Sequence, residues 1–261
     1  PQNIKEKIRK NTKLVHVESP TNPLLELCDI KATAKICKNN DILLSVDNTF
    51  MSPYGQRPLE MGADITMQSS TKSISGHSDI LGGVLATNEK NLYEKLQFML
   101  KATGGVPSPF DNWLTLRSTK TLALRYQKAT DNASDLANFL SEHPSVIRTI
   151  YPGLDSHPQH EIAVKQQLNP KGEVVFGSML SIDVGDIGRR DEFLNKIEIF
   201  QLAESLGSVE SLVCIPFFMT HAALPEKTKL EMGLTETLIR LSVGIEDFDD
   251  LKLDLSNALN N

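Results

Sequence analysis

The first half of the chain alternates short β-rich runs with helical patterns. Leu14-Val15-His16-Val17 reads as a strand, ended by the two prolines of Glu18-Ser19-Pro20-Thr21-Asn22-Pro23. From Leu27 to Lys38, the apolar residues Ile30, Ala34 and Cys37 recur at three- to four-residue spacing, which predicts a helix. Ile42-Leu43-Leu44-Ser45-Val46 is a near-continuous apolar run, the pattern of a strand buried on both faces of a parallel sheet. Asp64 to Met67 and Ile80 to Leu85 predict two more such strands. Strand–helix–strand order with burial on both faces points to an α/β domain.

The pattern changes near Trp113. Few breakers interrupt the stretch from Trp113 to Glu142, which predicts one long helix stopped at His143-Pro144. Met179 to Val184 alternates like a half-exposed antiparallel strand, and Glu192 to Lys196 and Asp247 to Leu259 read as covering helices. A boundary near Ser118 divides the chain into an α/β unit, residues 1–118, and an α+β unit, residues 119–261.

Composition narrows the function. A length of 261 residues suffices for one large domain or two smaller ones. The net charge of −6 argues against nucleic-acid or membrane-surface partners, which call for a basic patch. Cys28, Cys37 and Cys214 form neither a CxxC pair nor a metal spacing, so they read as reduced thiols of a reducing compartment, the cytoplasm. His157 and His160 are separated by Pro158 and lack a third ligand, so no metal is expected. No apolar run reaches the ~18–20 residues of a membrane span. The chain opens at Pro1 within a charged helical stretch, with no leader pattern, and reads as a fragment or processed chain.

Three features carry candidate chemistry. Asp47 follows a buried run, at the strand end where open α/β sheets bind ligands, although by itself it reads equally well as a helix N-cap. Ser69-Ser70-Thr71-Lys72 follows another strand and combines hydroxyls and a lysine suited to a phosphate; alone, it reads more readily as a polar turn. Gly76-His77-Ser78-Asp79 and Gly82-Gly83 match neither a dinucleotide fingerprint nor a P-loop. Together they offer what pyridoxal 5′-phosphate requires: a lysine for covalent attachment, an acid against the ring nitrogen, and donors for the phosphate.

The motifs Val17 to Pro23, Val46-Asp47-Asn48-Thr49-Phe50, Ser69 to Lys72 with Gly76 to Asp79, Ala203-Glu204-Ser205-Leu206-Gly207 with Glu210-Ser211, and Leu238 to Glu246 resemble the Cys/Met-metabolism family of fold-type I pyridoxal-phosphate enzymes. The likeness runs the length of the chain and is nearest the cystathionine γ-lyase branch, with γ-synthases next. It implies an aspartate-aminotransferase-like large domain, cut short at its N-terminus, followed by a smaller α+β C-terminal domain.

It also implies roles. Lys72 would hold the cofactor covalently and act as the catalytic base. Asp47 would keep the ring nitrogen protonated, Ser69 and Thr71 would bind the phosphate, Asn22 would contact the ring hydroxyl, and Thr49 would pack beside the ring. Arg240, helped by Ser211, would clamp the substrate carboxylate, and Glu210 would mark chemistry at the γ-carbon. The implied activity is γ-elimination of cystathionine to cysteine, 2-oxobutyrate and ammonia. The alternatives are γ-replacement on a homoserine ester and a silent fold fragment. The resemblance further implies a homotetramer whose preceding segment supplies a ring-stacking tyrosine, a glycine turn at the phosphate, and residues reaching a neighbouring subunit. Ser73, and Ser118-Thr119 before Lys120-Thr121-Leu122, depart from the family pattern.

Overall fold

The computed structural model describes residues 1–260 and contains two sheets. In the first, β1 (Leu14–Glu18), β2 (Leu43–Asp47) and β3 (Ile65–Ser69) run parallel, and β4 (Gly83–Ala86) closes the order β1-β2-β3-β4 antiparallel to β3. The helix Ile30–Asn39 connects β1 to β2 and lays Ile30, Ala34 and Cys37 on Leu44, Val46 and Ala63. Leu44 and Val46 are fully buried, each contributing about 1.5–3 kcal/mol.

This helix begins three residues later than its periodicity predicts. Asp29 caps it, its carboxylate accepting from Ala32 N at 2.9 Å. Before it, side-chain amides hold the backbone in place of a helical turn. Gln159 exchanges two 2.7 Å bonds with Leu27, and Gln166 donates to Cys28 O at 3.0 Å. β4 departs further from expectation. It is short, antiparallel and exposed throughout, because it lies at the edge of the sheet and the preceding Gly82 carbonyl turns inward to accept from Ser70 N at 3.0 Å.

The predicted long helix is two, Pro109–Thr119 and Leu122–Ser141. The backbone breaks at Thr121, whose hydroxyl bonds back to Ser118 O at 3.2 Å. Trp113 is exposed and stacks on Phe110.

The second sheet comprises β5 (Arg148–Ile150), β6 (Met179–Asp183), β7 (Gln201–Leu202), β8 (Leu212–Cys214) and β9 (Leu238–Ser242), in the order β5-β6-β9-β8-β7. All neighbours are antiparallel except β7 and β8. β6 was expected to be half exposed; every residue of it is buried. It lies between β5 and β9, with Leu180 and Ile182 packed in a core shared with Leu136 and Leu140 of Leu122–Ser141 and with the helices Ile187–Lys196 and Phe248–Leu259. Its other face meets the loop after β1, where Ser181 Oγ donates to Pro23 O at 2.8 Å. The small polar residues that made the strand look half exposed therefore face protein. Among the described residues, no helix is long and apolar enough to cross a membrane.

Candidate active site

The site forms where the C-terminal ends of β1, β2 and β3 meet the second sheet. Parallel register pairs Glu18 with Asp47, so two carboxylates end adjacent strands. Asp47 Oδ1 accepts from Thr49 N at 2.9 Å, and Thr49 Oγ1 accepts from Ser69 N at 2.9 Å. These links tie the ends of β2 and β3 together. They also orient the Asp47 carboxylate locally.

Glu18 responds to this placement. The surrounding protein, and next the Asp47 charge, push its carboxyl from 4.5 up to about 7, against the opposing pull of the Asn22 backbone. Its side chain still reaches water, so solvent tempers the effect.

Lys72 follows β3 in a π-type turn, Ser70–Ile74, with φ −88° and ψ −135° at the lysine itself. Burial, and next the positive charge of Arg240, hold its ammonium below the ordinary lysine value. Its Nζ lies 3.5 Å from Ser205 Oγ. Gly207 makes the close approach possible: at φ +73°, a side chain there would put a Cβ 2.9 Å from Ser73 N and 3.4 Å from Lys72 Cβ.

Arg240 lies on β9 and is 1% exposed. One Nη donates to Asn22 Oδ1 at 2.9 Å; the other donates to the carbonyls of Glu204 and Ser205 at 2.8 and 3.0 Å. Its Nε is buried with no partner among the described residues. A buried guanidinium with an unused donor suits a carboxylate. His221, near Asn22 and Arg240, is held below the ordinary histidine range by burial and then by the Arg240 charge.

Asn22, Arg240, Lys72, Asp47, Thr49 and Ser69 thus share one region of the fold. Three candidates are otherwise engaged. Thr71 Oγ1 accepts from Gly82 N at 2.9 Å and donates to Gly82 O at 3.3 Å. Ser211 directs its N–H and hydroxyl to the Glu246 carboxylate at 2.6 and 2.9 Å. Glu210 is exposed and bonds to the Ser208 hydroxyl. Sequence reasoning assigned no role to Glu18, Ser205 or Glu246. Glu18 carried a usable signal, an acid closing a predicted strand just before two prolines.

These residues fit pyridoxal phosphate. Two neighbouring strand-end carboxylates, one pushed towards the protonated form by burial and next by the charge of the other, suit a cationic ring nitrogen. A lysine with a lowered pKa suits an aldehyde, because only the neutral amine attacks it. Ser69 Oγ has no partner among the described residues and can donate to a phosphate oxygen at the strand end.

Comparison with known proteins agrees with this fit. The family model for Cys/Met metabolism PLP-dependent enzymes matches residues 1–260. The chain is 47% identical over 260 residues to a cystathionine gamma-lyase of Bacillus subtilis, covering 100% of this chain and 67% of that protein. It is 52% identical over 256 residues to a cystathionine gamma-lyase of Dictyostelium discoideum, covering 98% and 65%. The crystal structure of cystathionine gamma-lyase from Lactobacillus plantarum complexed with L-serine superimposes with a TM-score of 0.93 at 41% identity, over 98% of this chain and 65% of that one. The chain therefore spans about two thirds of the length of these relatives.

Proposed function

The chain belongs to the Cys/Met metabolism family of pyridoxal-phosphate-dependent enzymes, and from that premise we propose a carbon–sulfur lyase of transsulfuration that cleaves cystathionine to cysteine, 2-oxobutyrate and ammonia. The observation that carries the reading is the convergence of Lys72, Asp47 and Arg240 at one strand-end site.

When bound, pyridoxal phosphate supplies a covalent link to the substrate amine and a ring that takes up the electrons left by proton removal. The remaining work falls to the protein. Arg240 receives the substrate carboxylate, its guanidinium already oriented by Asn22 and two carbonyls, so little ordering is lost on binding. Lys72, poised towards its neutral form, takes the α-proton, would hand it on to the cofactor, and is then free to take one from the adjacent carbon; the sulfur leaves from the γ-carbon and picks up a proton as cysteine. Asp47, fixed through Thr49, would hold the proton on the ring nitrogen, and Ser69 would anchor the phosphate. A sulfur amino acid is the substrate class, and a homo-oligomer is the working assembly.

A substrate panel tests this reading. Release of 2-oxobutyrate from cystathionine is expected. Cystathionine formed from an acylhomoserine and cysteine, without that release, would instead assign the chain as a γ-replacing synthase.

A further inference from the structure

Arg125 lies outside the substrate site, and its surroundings are unusual for a cation. It is 9% exposed, and among the described residues each of its bonds goes to a neutral acceptor. Nη1 donates to Ser73 O at 2.9 Å, while Nη2 donates to Ile74 O at 3.1 Å and Ser118 O at 2.9 Å. Nε donates to Thr121 Oγ1 at 3.1 Å. Burying a guanidinium without a counter-charge is costly, so the geometry it imposes has to offset that cost.

The geometry centres on Lys72. Ser73 and Ile74 directly follow it in the turn, and their carbonyls are held by the same fork. The third carbonyl belongs to the end of the helix Pro109–Thr119, and Arg125 itself sits in the first turn of Leu122–Ser141. The break between these helices at Thr121 lets one side chain reach both. Gly76 completes the fit: at φ +72°, a Cβ there would fall 2.0 Å from Arg125 Nη1. The Gly76 carbonyl then accepts from Val209 N at 2.9 Å, tying the lysine turn to the loop that carries Gly207 and Glu210.

We propose that Arg125 is a positioning residue for the reaction: its guanidinium fork locks the turn that presents Lys72 and sets that turn against the 207–211 loop. The inference rests on the reading of Lys72 as the cofactor lysine. Lysine at position 125 would keep the charge but could not bridge three carbonyls and a hydroxyl.

Hydrogen exchange and cofactor titration on Arg125→Met and Arg125→Lys test it. Two amides report the turn directly, Ser75 N bonded to Ser70 O and Gly76 N bonded to Lys72 O. In the cofactor-free chain both are expected to exchange about tenfold faster in either variant, with β9 amides at wild-type rates. The Kd for pyridoxal phosphate is expected to rise about tenfold, and guanidinium ion added to Arg125→Met to restore part of the loss. Wild-type exchange at Ser75 and Gly76 would overturn the inference. So would equal acceleration in β9, which would make Arg125 a support of the whole fold. Exchange needs no cofactor, so a wild-type chain that binds no pyridoxal phosphate would be recognised separately as failure of the Lys72 reading.

Discussion

Arg240 donates to Asn22 Oδ1 at 2.9 Å across 218 residues of sequence, and this bond ties the second sheet to the loop that follows β1 of the first. It orients the guanidinium and also fixes the asparagine. The carboxylate clamp therefore depends on both sheets being in place.

Replacing Arg240 with lysine removes this bond and the fork that holds the Glu204 and Ser205 carbonyls. The expected result is a fall in kcat/KM of about 10- to 100-fold, carried mainly by KM, since a hydrogen bond to a charged group is worth about 1.5–3 kcal/mol. Steady-state kinetics with cystathionine check it; an unchanged KM would remove Arg240 from substrate binding.

The Glu18–Asp47 pair predicts a pH effect on the cofactor-free chain. Folding raises the Glu18 pKa from 4.5 to about 7, so the native state binds that proton more tightly than the unfolded chain does. Its stabilising contribution is full below about 4.5 and is lost as pH rises through about 7. Glu18→Gln should therefore lose less stability than wild type between those two values. Thermal melts at both ends of the window decide the point, and equal losses in the two proteins would refute it.

Asp254 offers a prediction away from the site. It is buried, and its carboxylate accepts from Glu198 N, Ile199 N and Phe200 N at 2.8, 2.9 and 3.3 Å. Asp254→Ala strands these donors and should destabilise the chain by about 3 kcal/mol, read by urea denaturation. The affinity of the folded variant for pyridoxal phosphate should stay at the wild-type value.

Much of this was legible in the sequence, for identifiable reasons. Runs of apolar and β-branched residues located β1, β2 and β3, although of the three only β2 buries apolar side chains, Leu44 and Val46; β1 has no buried residue and β3 buries Thr66 and Gln68. Asp47 and the Ser69 to Lys72 run were each ambiguous alone, and only together and with the family resemblance did they suggest a pyridoxal-phosphate site. What escaped depends on partners far along the chain. The start of Ile30–Asn39 is decided by Gln159 and Gln166, more than 130 residues away. The burial of β6 follows from Pro23 and the loop around it, which cover Ser181. Ser211 looked free for substrate because nothing local shows that Glu246 holds it. Arg125 reads as an ordinary helical arginine until Ser73, Ile74 and Ser118 are seen around it.

The most direct test of the account is to trap the cofactor on its lysine. The chain is incubated with pyridoxal phosphate, reduced with borohydride, digested and mapped by mass spectrometry, alongside Lys72→Ala. One reduced pyridoxyl phosphate group on the peptide containing Lys72, absent from the variant, is the predicted result, together with a fall in 2-oxobutyrate release of at least about 10²-fold in the variant. Label on a different lysine, or equal labelling of both proteins, would contradict the assignment of Lys72 and the site built around it.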